Sequence, residues 1–196
     1  MADRLERRLR AEPKVPAIPG LHYVQSYMDA AQAAALLEAV DAMPWLSDLS
    51  RRVQHYGYRY DYRARRVVPE MYLGPLPSFV QSLAERLVRE GYFAKQPDQA
   101  IVNAYEPGQG ISHHVDCVPC FGETISSVSL GSRCEMEFRR DGAGDQHLLL
   151  EPTSLLVLSG EARYSWSHAI RARNSDHGIA RTRRVSITFR TILKGD

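Results

Sequence analysis

The chain has 196 residues, the length of one ordinary domain with a single hydrophobic core. Its 25 Lys and Arg residues against 23 Asp and Glu residues give a net charge of only +2, so a nucleic-acid partner would need a local basic surface. No apolar run approaches the roughly 18–20 residues that span a bilayer, and the opening MADRLERRLR has no apolar signal-peptide core. An odd number of cysteines, three, argues against an oxidising compartment. We therefore expect a cytoplasmic monomer without a membrane partner.

The N-terminal head is charged and rich in proline. Its first dozen residues are poor in apolar side chains, and PKVPAIPG (13–20) follows them with three prolines and a glycine. The sequence predicts a flexible head over residues 1–19 and one domain over residues 20–196. The head's basic residues are more typical of a solvated chain end than of a phosphate contact.

Two amphipathic helices are expected in the first half of the chain. DAAQAAALLEAVDAM (29–43) has Asp29 as its N-cap and is ended by Pro44. LPSFVQSLAERLVREG (76–91) places Pro77 in the first turn and Gly91 at the end, which is the usual arrangement of these two residues around a helix.

From residue 101 onward the pattern changes to short runs typical of β-strands, separated by turn residues. These runs are IVNAYE, TISSVSL, CEMEFRR, HLLLEP, SLLVLSG, YSWSHAI and RRVSITFRTIL. Many short strands without helices between them indicate a sandwich or a barrel. The predicted fold is mainly β with supporting α-helices, arranged as a double-stranded β-helix, or jelly roll.

The stretch ISHHVDC (111–117) contains two adjacent histidines before an aspartate. Side chains alternate along a strand, so His114 and Asp116 share a face and His113 points the other way. An imidazole and a carboxylate are two of the three ligands in the 2-His-1-carboxylate arrangement that holds Fe(II). The third ligand is predicted to be His168, on a later strand, in preference to His177 in the turn NSDHG. Without that partner, a surface histidine beside a turn aspartate is the commoner explanation of His-x-Asp.

A pair of arginines suggests an acidic ligand near such an iron site. Arg184 and Arg190 lie on one face of the run RRVSITFR (183–190). Two guanidinium groups that point inward need anionic partners, and a dicarboxylic acid suits the arginine fork. The alternative is that both arginines face solvent on an edge strand, which would be preferred if the iron ligands were absent.

Four motifs in order, NAYEPGQGISHHVD, SVSLGS, GEARYSWSHAI and RRVSITFR, resemble the AlkB family of Fe(II)- and 2-oxoglutarate-dependent dioxygenases. The likeness runs from about residue 101 to residue 192, and a weaker one in RRVQHYGYRYDY (51–62) extends it upstream. Within the family the motifs are most similar to the oxygenase domain of the tRNA wobble-uridine hydroxylase type. The resemblance implies Fe(II) as cofactor, 2-oxoglutarate and O₂ as cosubstrates, and a site of seven residues: iron ligands His114, Asp116 and His168, and 2-oxoglutarate contacts Asn103, Tyr105, Arg184 and Arg190.

The implied reaction converts 2-oxoglutarate and O₂ to succinate and CO₂ while a substrate C–H bond is hydroxylated. Hydroxylation of an N-methyl group would demethylate the substrate. The expected substrate is a modified nucleobase in RNA or single-stranded DNA, with RNA, and tRNA in particular, favoured. The alternatives are oxidation of a protein side chain and a non-enzymatic, cupin-like binding module.

The sequence departs from the family pattern next to the iron ligands. His113 stands where proline is frequent, and Ala169 stands where glycine is usual. After Asp116 the DNA-repair members carry acidic residues, whereas CVPC offers no acceptor for a base amine, which lowers the expectation of adenine repair. Cys117 and Cys120 are predicted to be a reduced pair at the rim of the site, because Cys134 alone cannot complete a zinc site.

The stretch QHYGYRYDY carries tyrosines on one strand parity: Tyr56, Tyr58, Tyr60 and Tyr62. A tyrosine stripe more often covers a hydrophobic core than binds a ligand. We expect most of the stripe to do so, and we predict that Tyr58 reaches the substrate, where a base would stack on its ring.

Overall fold

The computed structural model describes residues 14–47 and 50–193, so most of the predicted head (1–13) lies outside the described residues. The helices are α1 (Ala30–Asp41), α2 (Ser78–Arg89) and the short α3 (Gly160–Tyr164), with a 3-10 turn at Pro69–Met71. The strands are β1 (Leu21–Val24), β2 (Arg52–Tyr56), β3 (Gln99–Tyr105), β4 (Ile111–His114), β5 (Phe121–Gly131), β6 (Cys134–Arg139), β7 (Gln146–Leu150), β8 (Leu155–Leu158), β9 (Ser167–Ile170), β10 (Ser175–Asp176), β11 (Ile179–Ala180) and β12 (Arg184–Ile192).

The strands form two main antiparallel sheets. The major sheet has the order β1-β8-β5-β12-β3-β2, the minor sheet has the order β4-β9-β6-β7, and β10 and β11 form a separate hairpin. Strands that are distant in the chain are neighbours in space, since β5 lies between β8 and β12. The predicted jelly roll is confirmed.

Both predicted helices are present, close to their expected ends. The Asp29 carboxylate accepts a hydrogen bond from the Gln32 backbone N–H at 2.8 Å, and the Gln32 side chain accepts one from the Asp29 N–H at 3.1 Å. Such a capping box typically stabilises a helix by about 1 kcal/mol. The second helix begins directly after Pro77 and ends two residues before Gly91. No described helix has both the length and the apolar character needed to span a bilayer.

The helices cover the outer face of the major sheet and thereby fix which side chains face inward. Alternation along β3 and β12 sends one apolar set of side chains into a core with both helices: Ala100, Val102, Ala104, Val185, Ile187 and Phe189. The other set faces a cavity between the two sheets: Ile101, Asn103, Tyr105, Arg184, Ser186, Thr188 and Arg190. On β3 and β12 the inward face is therefore mostly polar, while the outward face supplies the core.

A second core lies against the minor sheet. It contains Phe138, Leu148 and Leu150 from that sheet, together with Leu156 and Leu158 from β8. Ile18 is also buried in this cluster, so packing begins slightly before residue 20.

The tyrosine stretch differs from the prediction, because the strand ends at Tyr56 and does not continue to Tyr62. Gly57 has a φ of +75°, and a Cβ at this position would lie 1.9 Å from the carbonyl oxygen of Asp98. Only glycine fits such a backbone conformation and approach without strain. The chain turns here into a segment held by isolated bridges, and we call residues 57–74 the rim segment. A tyrosine stripe on a single strand face was therefore the wrong prediction.

Candidate active site

A cavity of about 450 Å³ opens between the two sheets. Its wall combines the inward side chains of β3 and β12, the iron-ligand candidates on the minor sheet, and Tyr60, Tyr62 and Arg65 of the rim segment. Cavities of this size are typical of sites for small molecules and cofactors.

The structure brings His114, Asp116 and His168 together on one wall of this cavity. His114 ends β4 and lies directly opposite His168 of β9, and their ring centroids are 4.4 Å apart. The Nε2 atom of His168 is 3.6 Å from Oδ2 of Asp116, and one ligand atom from each of the three residues lies within 4.8 Å of the others. The geometry has the composition and proximity of a 2-His-1-carboxylate iron site.

The adjacent and alternative histidines lie elsewhere. His113 is outside the three-residue cluster, and its ring contacts Glu137 at 3.8 Å and the Ser167 hydroxyl at 3.3 Å. His177 lies in the turn between β10 and β11 and contacts Glu135 at 2.6 Å. Strand parity therefore distinguished His114 from its neighbour.

The protonation states of the three residues suit a metal ion. Nδ1 of His114 lies 2.8 Å from the Ser112 carbonyl, so its N–H donates there and Nε2 keeps a free lone pair. Burial, reinforced by His114, lowers the pKa of His168 to about 3, so this imidazole is neutral at physiological pH. Burial raises the pKa of Asp116, but Arg190 and the nearby histidines outweigh it and hold that pKa well below its usual range. Two imidazoles and one carboxylate are the donor set that Fe(II) takes.

Two arginines, the buried Arg163 and the partly buried Arg190, hold Asp116 in place. Arg190 donates two hydrogen bonds to Oδ1 of Asp116, at 2.8 and 2.5 Å, which leaves Oδ2 facing His168. Arg163 of α3, only 2% exposed, donates to the Asp116 backbone carbonyl at 2.9 Å and also reaches the carbonyls of Cys117 and Phe121. Sequence reasoning missed Arg163, because its partners are backbone carbonyls of a distant loop and leave no residue pattern.

Arg184 and Arg190 face the cavity, so the alternative that they lie on a solvent-exposed edge is wrong. Their strand, β12, lies inside the major sheet between β5 and β3. Arg184 is 4% exposed, its Nη2 donates to the Ser129 hydroxyl at 2.9 Å, and its guanidinium lies 5.6 Å from the ring centroid of Tyr105. Within residues 14–47 and 50–193, neither Nε of Arg184 nor Nη1 of Arg190 has a hydrogen-bond partner, and Arg184 forms no ion pair. Buried donors of this kind call for an anionic ligand.

Asn103 and Tyr105 line the same cavity beside these arginines. They alternate along β3, and their cross-strand partners on β12 are Ser186 and Arg184. An amide, a phenol and a guanidinium are thus gathered where a carboxylate would find several donors.

Cys117 and Cys120 lie next to Asp116, but not as the reduced pair that the sequence predicted. A tight turn after Asp116, in which the Cys120 N–H donates to the Cys117 carbonyl at 3.2 Å, brings their Cα atoms to 5.3 Å and joins them in a disulfide. That separation is usual for disulfide-bonded cysteines. Cys134 is buried in the second core and is free.

The rim segment presents different tyrosines to the cavity from the one predicted. Tyr58 packs against Tyr72, with ring centroids 5.0 Å apart, and against the cluster around Cys117, Cys120 and Phe121. Tyr60 and Tyr62 are the tyrosines of this segment found among the described cavity-lining residues. They are in edge contact with each other, with ring centroids 5.0 Å apart.

Comparison with known proteins agrees with this fold and site. The sequence model of the 2OG-Fe(II) oxygenase superfamily matches residues 23–190, and the chain belongs to this superfamily. Its homologues place it with the AlkB-type dioxygenases, which use Fe(II), 2-oxoglutarate and O₂. The prediction of a 2-oxoglutarate-dependent dioxygenase is confirmed.

Three similar proteins illustrate this relationship. The "Alkylated DNA repair protein ALKBH8 homolog" of Arabidopsis thaliana is 39% identical over 203 residues, covering 89% of this chain and 59% of that protein. The "tRNA (carboxymethyluridine(34)-5-O)-methyltransferase ALKBH8" of Macaca fascicularis is 38% identical over 169 residues, covering 81% of this chain and 25% of that protein. The solved structure of OsALKBH1 shares the fold, with a TM-score of 0.65 at 17% identity over 92% of this chain and 100% of that one. The chain therefore spans only part of the length of the first two relatives.

Proposed function

We propose that this protein hydroxylates or oxidatively demethylates a modified nucleobase, with RNA, and tRNA in particular, favoured over DNA. In this proposal Fe(II) is held by His114, Asp116 and His168. The cosubstrate 2-oxoglutarate is held by Asn103, Tyr105, Arg184 and Arg190. One observation carries the proposal. His114, Asp116 and His168 face the same cavity as Arg184 and Arg190, and among the described residues each of these arginines has a buried donor atom without a hydrogen-bond partner.

When bound, iron and 2-oxoglutarate supply the oxidation of a substrate C–H bond by O₂, with release of succinate and CO₂. The protein's own groups bind and orient the reactants. Arg184 and the Tyr105 hydroxyl bind the carboxylate of 2-oxoglutarate that lies away from the metal. Arg190 contacts Asp116 directly, so its remaining donor, Nη1, lies at the end of the pocket nearest the metal.

The two arginines have different roles because their partners differ. Arg190 neutralises the metal-binding carboxylate and fixes which of its oxygens faces the histidines. Arg184 has only the Ser129 hydroxyl as a hydrogen-bond partner among the described residues, so its charge is available to the cosubstrate. The site thus binds a dianion without leaving Asp116 unpaired.

The rim segment supports a nucleic-acid substrate. It carries four exposed arginines, Arg59, Arg63, Arg65 and Arg66, of which Arg65 lines the cavity. Between them lie Tyr60 and Tyr62, whose rings line the cavity. Arginines that contact phosphate beside aromatic rings that stack on bases are the usual combination in proteins that bind single-stranded nucleic acid. A protein or small-molecule substrate would not require this concentration of positive charge.

A further observation favours RNA over repair of alkylated adenine. The disulfide turn after Asp116, from Cys117 to Cys120, offers no acidic side chain to accept a hydrogen bond from a base amine. This feature supports RNA, while oxidation of a protein side chain is the competing outcome of the experiment.

The test measures succinate release from protein loaded with Fe(II) under anaerobic conditions and then supplied with 2-oxoglutarate and O₂. Parallel reactions contain bulk tRNA, methylated single-stranded DNA, a mixture of peptides or no substrate, and the control is His168→Ala. We expect tRNA to accelerate succinate release and the variant to abolish it. Acceleration by peptides alone would overturn the nucleobase proposal and leave the cosubstrate chemistry intact. Absence of 2-oxoglutarate turnover in every reaction would overturn the proposed site itself.

A further inference from the structure

The orientation of the Asn103 amide in the cavity is determined by Arg51. Nε of Arg51 lies 2.8 Å from Oδ1 of Asn103 and donates a hydrogen bond to it. A guanidinium has N–H donors and no acceptor, so the amide must present its oxygen to Arg51 and not its NH₂ group. The NH₂ group is then the end of the amide left for a ligand, and within the described ranges this group donates no hydrogen bond.

Arg51 is itself held between the rim segment and the cosubstrate pocket. It immediately precedes β2, which pairs with β3 so that Val53 lies opposite Asn103. Its guanidinium carbon is 5.5 Å from the ring centroid of Tyr105 and 6.0 Å from that of Tyr62. Both distances are within the range of cation–π contacts, so the guanidinium has partners on two sides besides Asn103. These contacts restrict the directions in which Arg51 can donate.

We propose that Arg51 is a positioning residue for the cosubstrate, which locks the Asn103 amide with its NH₂ group toward the carboxylate that Arg184 binds. This inference rests on the proposed function, because it assigns that carboxylate to 2-oxoglutarate. Without Arg51 the orientation that binds the ligand leaves the buried amide oxygen without a donor, so the amide turns that oxygen toward the cosubstrate side of the cavity. An oxygen facing a carboxylate donates nothing and repels it, so Asn103 binds the ligand only when it is held in one orientation.

The nearest matched control is Arg52, the next residue in the chain. It has the same charge, but its side chain is exposed and pairs with Glu106 at 3.2 Å on the surface. Substitution of Arg52 therefore changes the net charge by the same amount as substitution of Arg51 and leaves the Asn103 amide untouched. A difference between the two variants reports on position and not on long-range electrostatics.

The experiment is a double-mutant cycle on 2-oxoglutarate binding, measured by isothermal titration calorimetry with Mn(II)-loaded protein under anaerobic conditions, so that no turnover occurs. The variants are Arg51→Leu, Asn103→Ala, the double variant, Arg51→Lys and the control Arg52→Leu. We expect Arg51→Leu to weaken 2-oxoglutarate binding by about 10- to 100-fold, the usual effect of losing a hydrogen bond to a charged group. Arg52→Leu should change the affinity by less than about 3-fold.

The cycle distinguishes positioning from a direct charge effect. If Arg51 acts through Asn103, Arg51→Leu causes no further loss in the Asn103→Ala background, because there is no amide left to orient. Arg51→Lys should restore part of the affinity, since an ammonium group also donates to Oδ1. Equal losses from Arg51→Leu in both backgrounds would overturn the positioning role.

The outcomes also separate this inference from the proposed function. If the wild-type protein binds Mn(II) but not 2-oxoglutarate, the proposed function fails. If the wild type binds 2-oxoglutarate and Arg51→Leu binds it equally well, only the role of Arg51 fails. Mn(II) affinity and thermal unfolding, measured for every variant, identify a loss that arises from misfolding, and in that case Arg51→Lys carries the comparison with Asn103→Ala.

Discussion

The floor of the cavity and its rim are built in different ways. The floor consists of alternate residues on β3 and β12, two strands in the interior of the major sheet, each paired on both sides. The rim segment (57–74) is held by isolated bridges, Tyr58 with Tyr72 and Asp61 with Arg66, and by packing against the disulfide turn. Backbone pairing over-determines the floor, whereas a few contacts determine the rim. The proposed cosubstrate contacts therefore lie on the rigid part, and selection of the substrate falls to the less constrained part.

The largest effect is expected at Asp116, where removal of one side chain affects both metal binding and the fold. Asp116→Ala should abolish succinate release. Because Arg190 loses its buried anionic partner, it should also lower the free energy of unfolding of the metal-free protein by about 3–5 kcal/mol. Urea denaturation in the presence of a chelator measures the second effect separately from the first.

His168→Ala is the matched control for this prediction. It also removes a ligand and activity, but His168 is neutral, so its loss leaves no charge unpaired and should cost about 1–3 kcal/mol, the usual range for a single substitution. Equal destabilisation by the two variants would show that Asp116 does not compensate the charge of Arg190.

The second prediction is that Arg184 matters for the ligand and not for the fold. Arg184→Met should weaken 2-oxoglutarate binding by about 100-fold, since it removes a charge-assisted hydrogen bond to the carboxylate. The ligand-free protein should lose no more than about 1 kcal/mol, corresponding to the Ser129 hydrogen bond, because a buried cation without an acidic partner is removed. Calorimetric titration and chemical denaturation provide the two measurements.

An opposite pattern at this position would contradict the assignment. If Arg184→Met unfolds readily yet binds 2-oxoglutarate normally, Arg184 supports the sheet and the cosubstrate binds elsewhere in the cavity. Arg190→Met is the comparison variant, because Arg190 neutralises Asp116. Its substitution should therefore lower both stability and 2-oxoglutarate affinity.

The side chains on paired strands of the two sheets are also the part of the site that the sequence predicted. Period-two alternation selected His114 over His113 and aligned Arg184 with Arg190, because a strand allows only two orientations for a side chain. Pairing of β4 with β9 then placed His168 opposite His114. Cross-strand register of this kind follows from the strand order of a jelly roll. A correct prediction of the fold class therefore also predicted that the three residues of the metal cluster lie together.

The rim and the supporting contacts could not be predicted in the same way. QHYGYRYDY alternates like a strand, and only the approach of the Asp98 carbonyl, far along the chain, shows that Gly57 must turn. Arg163 and Arg51 are similar cases, because their partners are a set of loop carbonyls and one amide oxygen. Such partners are fixed by tertiary structure and leave no periodic signal in the sequence.

The third prediction concerns the arginines of the rim segment and nucleic-acid binding. The double variant Arg63→Gln with Arg66→Gln should raise the KM for tRNA and reduce the salt dependence of binding, by about 0.7 in the logarithmic slope for each single-strand phosphate that the protein no longer neutralises. Turnover of 2-oxoglutarate without substrate should be unchanged, since neither residue is among those that line the cavity. Fluorescence anisotropy over a range of salt concentrations measures the slope.

Two exposed cations on the opposite side of the major sheet provide the control. Arg89→Gln with Lys95→Gln removes the same charge from the end of α2 and the loop that follows it. An equal fall in slope from both double variants would mean that net charge, and not the rim segment, attracts the nucleic acid.

The last prediction concerns the stability of the rim segment and the glycine at which it begins. Gly57→Ala meets two obstacles, a backbone φ of +75° and the Asp98 carbonyl oxygen 1.9 Å from the added carbon. Gly91→Ala meets only the first, with a φ of +80° and no atom within 4 Å. Gly91→Ala, the control, should lower the free energy of unfolding by about 1–2 kcal/mol through left-handed backbone strain. Gly57→Ala should lower it by more, and urea denaturation measures both.

The part of the structure that Gly57→Ala destabilises is more informative than the size of the loss in unfolding free energy. Because the floor is held by pairing on both sides, the displacement caused by Gly57→Ala should be confined to the rim. Faster amide hydrogen exchange over residues 57–74, with protection of β3 and β12 retained, would show that the rim opens separately from the floor. If exchange accelerates equally in β12, the rim and the floor form one cooperative unit. Cosubstrate binding and substrate selection would then not correspond to separate folding units.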